Sequence, residues 1–396
     1  MVKNTGKSED GLNTRRSTVW SQLFYSILII VILDFLSGFV IISDNFTSFR
    51  NPHYYYHHGL QPSQDTWAAW GSLLYPFRTS SLGMVDSAVY NVKLDADRQR
   101  ILILGDSHSE GVGVPYNKTF SGILSKRLKQ DVEILNASCI SYSPKIEYLR
   151  AKYLFEKGLK VDHIIVFIDI SDMQNELVYE RFEPKDNSLI QEFWHRSKIF
   201  LRKHSSIFHL ASSISTRRQT IDFFKKANLF NQQGSTVTPA NVIDLYASFF
   251  SGFDDKVLLS NPQFHGVGEW YYKNSFRKLA DRGISLGQEY ILKIQELCDS
   301  QNADLNISVH PWQYQILKGN AHDYYVEKWE SFASANEIGF INLFPLFIDG
   351  QNPVINIRKY LIKGDNHWNE FGHDHVADYL EQYLNDKLKF GDQVKR

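Results

Sequence analysis

From Arg100 onward the chain alternates short apolar runs with segments of helical period. "ILILG" (101–105) is continuously apolar, as a strand covered on both faces is. "TFSGILSKRLKQ" places Phe120, Ile123, Leu124 and Leu128 on one helical face. "DVEILNAS" reads as a second strand, and "PKIEYLRAKYLFEKG" as a helix with proline inside its start and glycine at its stop. "DHIIVFIDI" is a third strand. The alternation continues through "SLGQEYILKIQELCDSQNA" (helix), "DLNISVHP" (strand), "HDYYVEKWESFASANEI" (helix), "GFINL" (strand) and "NEFGHDHVADYLEQYLNDKL" (helix). Strands alternating with helices predict an α/β fold, a parallel sheet with helices on both faces.

Two segments break the pattern. Residues 43–98, which include "NPHYYYHHGLQP", hold no sustained period of 2 or 3.6 and read as a linker packing on the domain behind it. His53, His57 and His58 lie there without a fixed ligand geometry and read as surface or packing residues. Residues from about 180 to 280 are helix-rich, with basic and aromatic runs such as "FWHRSKIFLRKHSSIFHL" and "RRQTIDFFKKANLF". They read as an insertion beside the sheet, either a substrate-selecting lid or a structural elaboration, with a basic face suited to anionic lipid head groups.

Leu23 to Ile42, "LFYSILIIVILDFLSGFVII", is long enough to span a bilayer as a helix. Asp34 opposes insertion by roughly 2.5–3.5 kcal/mol, but the Leu, Ile, Phe and Val residues each favour it by about 0.3–0.6 kcal/mol, and they outnumber it. An intramembrane carboxylate can mark a partner helix; here it reads as one tolerated polar residue. Lys3, Lys7, Arg15 and Arg16 precede the segment and place the N-terminus in the cytoplasm by the positive-inside rule. The exit "ISDNFTSF" offers no small-residue cleavage site, so the segment reads as an uncut signal-anchor. The expected organisation is a cytoplasmic tail (1–19), a transmembrane anchor (20–42), the linker (43–98) and an extracytoplasmic domain (99–388) carrying the insertion.

Composition narrows the function. A formal net charge of −1 gives no electrostatic pull toward nucleic acid. The two cysteines, Cys139 and Cys298, exclude a disulfide scaffold and a cysteine-built zinc site but leave a single bridge open.

The chemistry concentrates in "RILILGDSHSEGVGV" (100–114), where Ser107 follows a strand at the carboxyl edge of the sheet, the edge at which ligands gather. The stretch is not a lipase elbow, because Ser109 replaces the second glycine of G-x-S-x-G. It is neither a dinucleotide fingerprint nor a phosphate loop: Tyr116 stands at the third glycine position and no Gly-Lys-Ser/Thr follows. A serine needs a base, and the base an orienting acid. "KGDNHWNEFGHDH" supplies both in Asp365 and His367, in a loop at the same edge. The order Ser107, Asp365, His367 makes a workable acyl-transfer triad. A rival metal set of Asp365, His367, His373, His375 and Asp378 is disfavoured, since His373 and His375 do not share a helix face.

"ILILGDSHSEGVGVPYNKTF" resembles the first block of the SGNH (GDSL) hydrolase superfamily, and "DNHWNEFGH" its last block, Asp-x-x-His-Pro-Asn followed by Gly-His. The similarity runs from about Arg100 to Leu384, and "TSSLGM" upstream is similar to the Asn-Ser-Leu-Gly-Phe-Arg element of many anchored bacterial members. The resemblance implies an SGNH-hydrolase-like, flavodoxin-like sheet, with Ser107 as nucleophile and His367 as base. The Asp-x-His spacing is shorter than in many members and resembles those tied to polysaccharide O-acetylation. Where the family's second block has a glycine whose N–H binds the oxyanion, this chain has Ser141. Where the third has an asparagine, it has Ser171, with Asn175 as a substitute. Ser107, Ser141 and Ser171 are therefore the expected oxyanion donors, and no metal or cofactor is expected.

The function implied is cleavage of a carboxylic ester through an acyl-serine, on a small acyl group (acetyl) of a cell-surface glycan or glycolipid. Trp194, Trp270 and Trp312 are candidate sugar contacts or core residues. Alternatives on the same fold are an O-acyltransferase beside a membrane acyl carrier, partnered with a membrane O-acyltransferase, and a non-catalytic binding or assembly factor.

Overall fold

The structure, a computed structural model, describes residues 9–42, 49–128, 132–212, 214 and 277–388. Residues 215–276, most of the expected insertion and Trp270 with it, lie outside the described residues. The described elements fall into two units: one holds α1 (Glu9–Ile41) and residues 188–214, and the other holds everything else.

In the larger unit the chain begins with a hairpin, β1 (Arg50–His53) and β2 (His57–Leu60), followed by β3 (Asp65–Trp70), β4 (Leu73–Thr79) and β5 (Val85–Asp86). The α/β part then runs β6 (Gln99–Leu104), α2 (Ser107–Glu110), α3 (Phe120–Arg127), β7 (Val132–Asn136), α4 (Pro144–Glu156), β8 (His163–Ile168) and α5 (Asp172–Tyr179). After α6 (Leu189–His204), which belongs to the other unit, come α7 (Arg277–Gln301), β9 (Asp304–Val309), α8 (Gln313–Lys318), α9 (Tyr324–Ala335) and β10 (Gly339–Asn342). Three helices close the chain: α10 (Phe344–Phe347), α11 (Pro353–Tyr360) and α12 (Glu370–Leu388).

The five parallel strands lie in the order β10-β9-β8-β6-β7, so the first strand, β6, sits between the second and third. This is the doubly wound order whose switch point falls beside β6, where the carboxyl ends of neighbouring strands diverge and leave a crevice. Alternate residues of β6 face opposite cores. Leu102 and Leu104 pack with Leu154, Ile291 and Trp329 of α4, α7 and α9; Ile101 and Ile103 pack with Phe120, Leu124 and Leu380 of α3 and α12. Burial on both faces is what the unbroken apolar run predicts.

The segment expected to be a linker is different. β5 pairs antiparallel with β7, β4 with β5 and β3 with β4, so three of its strands extend the parallel sheet to eight strands. Aromatic side chains of residues 49–86 build a core of their own, in which Phe49, Tyr55, Tyr56, Tyr75 and Phe77 cluster with Tyr142 and Ile146. Cys139 and Cys298 are buried free thiols, so the open bridge is not formed.

In the smaller unit α1 meets α6. Phe35 lies 6.0 Å from Phe200 and Phe39 lies 6.1 Å from His204, centroid to centroid. A Cβ on Gly38 would come within 2.1 Å of the His204 carbonyl, so glycine permits the approach. Asp34 is not merely tolerated: its carboxylate accepts the Ile207 backbone N–H at 2.8 Å, and Ser37 Oγ bonds Ser206 Oγ at 2.9 Å. From α1, Val19–Ile41 is long and apolar enough to cross a membrane, and almost none of it is buried within the protein.

Candidate active site

β6 delivers its chain to the switch point through a turn that only glycine fits. Gly105 has φ +156°, and a Cβ there would lie 2.4 Å from Ser109 Oγ and 2.9 Å from Phe167 Cβ. Asp106 caps α2, its Oδ1 accepting the His108 backbone N–H at 3.0 Å. Ser107 therefore stands at the first position of α2, 6% exposed.

His367 reaches it from the far end of the chain. The loop between α11 and α12 is pinched by a bridge of Leu361 with Trp368 and by the Ile362 N–H donating to the His367 carbonyl at 2.8 Å. His367 Nε2 lies 2.7 Å from Ser107 Oγ, and its Nδ1 bonds the Asp365 carboxylate. A carboxylate accepts only, so Nδ1 carries the hydrogen and Nε2 presents its lone pair to the serine O–H. Asp365 also accepts the His367 backbone N–H at 3.0 Å and the Trp70 indole N–H at 2.7 Å. Burial alone would push the Asp365 carboxyl up, but the charge and hydrogen bonds of His367, helped by Trp70, hold it at about 2. The structure thus brings Ser107, His367 and Asp365 into one hydrogen-bonded chain.

The expected oxyanion donors fare differently. Ser141 is exposed in a loop tied to the β6 terminus, where the Cys139 N–H donates to the Gly105 carbonyl at 3.1 Å. Its φ of +62° is the left-handed conformation that suits a glycine and costs other residues roughly 1–2 kcal/mol. Ser171 is the correction. Its N–H and its hydroxyl both donate to Asp169 Oδ1, at 2.7 and 2.6 Å, so the hydroxyl proton is already committed. Asn175 sits half-buried near the start of α5, its side-chain amide making no hydrogen bond to another described residue. Of the aromatic candidates, Trp312 donates its indole N–H to Asp169 Oδ2 at 2.6 Å, and Trp194 is 58% exposed on α6.

The rival metal residues disperse. His373 Nδ1 accepts the Phe120 N–H at 3.3 Å, His375 Nε2 meets the Leu346 carbonyl at 3.1 Å, and Asp378 pairs with Arg127 at 2.7 Å.

Sequence reasoning missed the residues that brace the site, and most come from the supposed linker. Arg50 holds the buried Glu110 carboxylate, which also accepts the Ile140 N–H at 2.9 Å. Burial lowers His58 to about 4, so its neutral ring donates Nε2–H to the Ile140 carbonyl at 2.8 Å. Tyr179 closes the loop from the other side, donating to the Ser141 carbonyl at 2.9 Å. Trp70 lies 295 positions from Asp365, and no local pattern connects them.

No family model matches the chain, and no curated protein matches it. Among solved structures, 27 chains match. They include a member of the lipolytic protein G-D-S-L family from Veillonella parvula, at 12% identity and TM-score 0.37, covering 73% of this chain and 99% of that one. An acetyl xylan esterase, AlAXEase, is similar at 12% identity and TM-score 0.38, over 72% of this chain and 99% of its own. A GDSL-like lipase from Bacteroides thetaiotaomicron is similar at 10% identity and TM-score 0.37, over 74% and 92%. The α/β fold itself stands on the strand order and register of this chain.

Two outcomes are expected of the acid side of the site. Because the Asp365 carboxyl is held below its unfolded value, its ionisation stabilises the fold by about 2 kcal/mol at neutral pH, and this is lost as pH falls from about 4 to about 2. Urea denaturation should show Asp365→Asn less stable than wild type at pH 7, with the gap closing toward pH 2; a gap independent of pH would contradict this. Trp70→Phe keeps the ring edge against His367 but removes one hydrogen bond, so the Asp365 carboxyl should titrate measurably higher by carbon NMR.

Proposed function

We propose that this protein is a serine esterase of the SGNH type, acting through an acyl-serine intermediate. The observation that carries the reading is the hydrogen-bonded chain Ser107–His367–Asp365 at the carboxyl edge of a doubly wound sheet. Ser107 attacks the ester carbonyl as His367 Nε2 takes its proton. Asp365 keeps the imidazole in the reactive tautomer and stabilises its charged form. The backbone N–H groups of Ser107 and Ser141 face the developing oxyanion. His367 then protonates the leaving alcohol, and water resolves the acyl-serine.

The substrate we propose is a small acyl ester, acetyl first, on a cell-surface glycan or glycolipid. Transfer uses the same intermediate, with a sugar hydroxyl in place of water, and suits a partner membrane O-acyltransferase. A second reading, a non-catalytic binding factor, is favoured by one observation: the Ser171 hydroxyl is bonded to Asp169. Loss of one oxyanion donor typically costs about 10²–10³ in turnover.

The site works at a membrane surface in this reading. α1 is the anchor, with its basic N-terminal flank in the cytoplasm and the α/β unit outside. α6 extends the anchor along the bilayer. Its apolar face, with Leu189, Ile190, Phe193, Trp194 and Phe200, is exposed, flanked by Arg196 and Lys203 along one edge and by Lys198 and Arg202 along the other. A helix of this pattern lies in the head-group region, its cations toward anionic lipid.

A fluorophosphonate probe and p-nitrophenyl acetate test the chemistry on the full chain. Wild type should be labelled and turn over the ester, and Ser107→Ala should lose labelling and about 10³-fold or more of the rate. An unlabelled wild type, or equal labelling of the variant, sinks the esterase in favour of the binding factor. Free acetate against acetylated sugar, with acceptor sugars present, separates hydrolysis from transfer.

For the membrane arrangement, the full chain should stay in the membrane pellet through an alkaline carbonate wash. In those membranes a water-soluble maleimide should label Lys198→Cys and spare Phe193→Cys until detergent is added. Release by carbonate would refute the anchor, and equal labelling would refute the α6 placement alone.

A further inference from the structure

Behind Ser107 lies a second group of side chains that the esterase chemistry does not use. Asp106 follows β6, His108 lies in α2, Asp169 follows β8 and His310 follows β9. All four are buried, at 4%, 1%, 1% and 0% exposure. One ligand atom from each lies within 4.8 Å of all the others.

The hydrogen bonds around them leave a specific gap. His108 Nε2 meets the Asn366 carbonyl at 3.1 Å; a carbonyl cannot donate, so the ring hydrogen is on Nε2. Nδ1 then faces two carboxylates, with Asp169 Oδ2 at 3.4 Å and Asp106 Oδ1 at 3.8 Å, and carries either a proton or a lone pair toward them. Lone pair against carboxylate is repulsive unless a cation stands between them. His310 is more exposed to the same problem: neither ring nitrogen has a hydrogen-bond partner, and its Nε2 lies 3.6 Å from Asp169 Oδ2. A buried imidazole with both nitrogens unpaired is costly.

We propose that Asp106, His108, Asp169 and His310 form a closed, structural site for a divalent first-row metal ion, zinc by its ligand set. Two imidazoles and two carboxylates are a tetrahedral zinc set, and bonds of about 2.0–2.1 Å space such ligands about 3.3–3.4 Å apart. Three of the six separations, 3.4, 3.6 and 3.8 Å, are close to that spacing, and all six are within 4.8 Å. The outer partners are those that ligands of this kind have. The Asn366 carbonyl fixes the His108 tautomer, and the Trp312 indole and Ser171 N–H orient Asp169. With all four positions filled by protein, the ion has no open position for a substrate or water. Its work is to tie the ends of β6, β8 and β9 together beneath the turn that carries Ser107. This site does not rest on the esterase reading.

Full-length protein in detergent, stripped with a chelator and reloaded with Zn²⁺ or Co²⁺, provides the test. After removal of free metal, wild type should retain one equivalent per chain by elemental analysis. The Co²⁺ form should show the intense visible bands of a tetrahedral site, and Tm should rise by about 5 °C with metal. His310→Gln should abolish retention and the Tm response, whereas Ser107→Ala should keep both. His108→Phe, which suits the aromatic surroundings, serves as the second variant should His310→Gln fail to fold. Wild type that retains no metal overturns the proposal and leaves a proton on His108 Nδ1 as the occupant. So does metal that both histidine variants retain, or a Co²⁺ spectrum without tetrahedral bands.

Discussion

The contact on which the arrangement turns is the hydrogen bond between Ser107 and His367, made across 260 positions of sequence. It requires the first strand of the sheet and the last loop before the closing helix to end at the same edge. The doubly wound order does this, because β6 lies inside the sheet between β8 and β7 and α12 returns over the face that Ile101 and Ile103 present. A one-residue slip of β6 would exchange its two faces and turn both cores inside out. Register, burial and the approach of Ser107 to His367 are therefore a single constraint.

That constraint was legible in the chain because it is written in long, regular signals. Five apolar runs and the helices between them appear where the periodicity places them, and the pairing of "GDS" with "DNH" needed only the rule that loops gather at strand ends. The short strands of residues 50–86 were not legible. Each is seven residues or fewer, several are partly exposed, and their pairing with β7 is decided by a single register contact, Val85 with Asn136. Propensity cannot identify strands whose stability comes from the sheet they join. Trp70, Arg50 and His58 were invisible for the same reason, since their roles exist only once that extension has formed.

Asp34 and Asp169 show a different limit. Each is a carboxylate in an apolar run, and the sequence alone gives no partner for either. In the structure each is met by donors from a distant segment: Asp34 by the Ile207 N–H, Asp169 by the Trp312 indole. Burying a carboxylate is unfavourable unless donors or a cation satisfy it, so such a residue carries information about a contact rather than about a helix or strand. Asp169 has taken the hydroxyl of Ser171 as well, so the proton of that hydroxyl is already donated.

The catalytic question then narrows to the loop around Ser141. A serine at φ +62° is strained relative to glycine, and the strain persists only where surrounding contacts over-determine the conformation. Those contacts are present on every side: Glu110 on the Ile140 N–H, His58 on the Ile140 carbonyl, Tyr179 on the Ser141 carbonyl and Gly105 on the Cys139 N–H. Glu110 is in turn held by Arg50. A loop needing only to turn would have no use for so many fixed partners, since a glycine turns without them. Four anchors on four successive peptides, from Ser138–Cys139 to Ser141–Tyr142, instead fix the direction of the Ser141 backbone N–H, and the oxyanion-donor role proposed for it requires a direction fixed in advance.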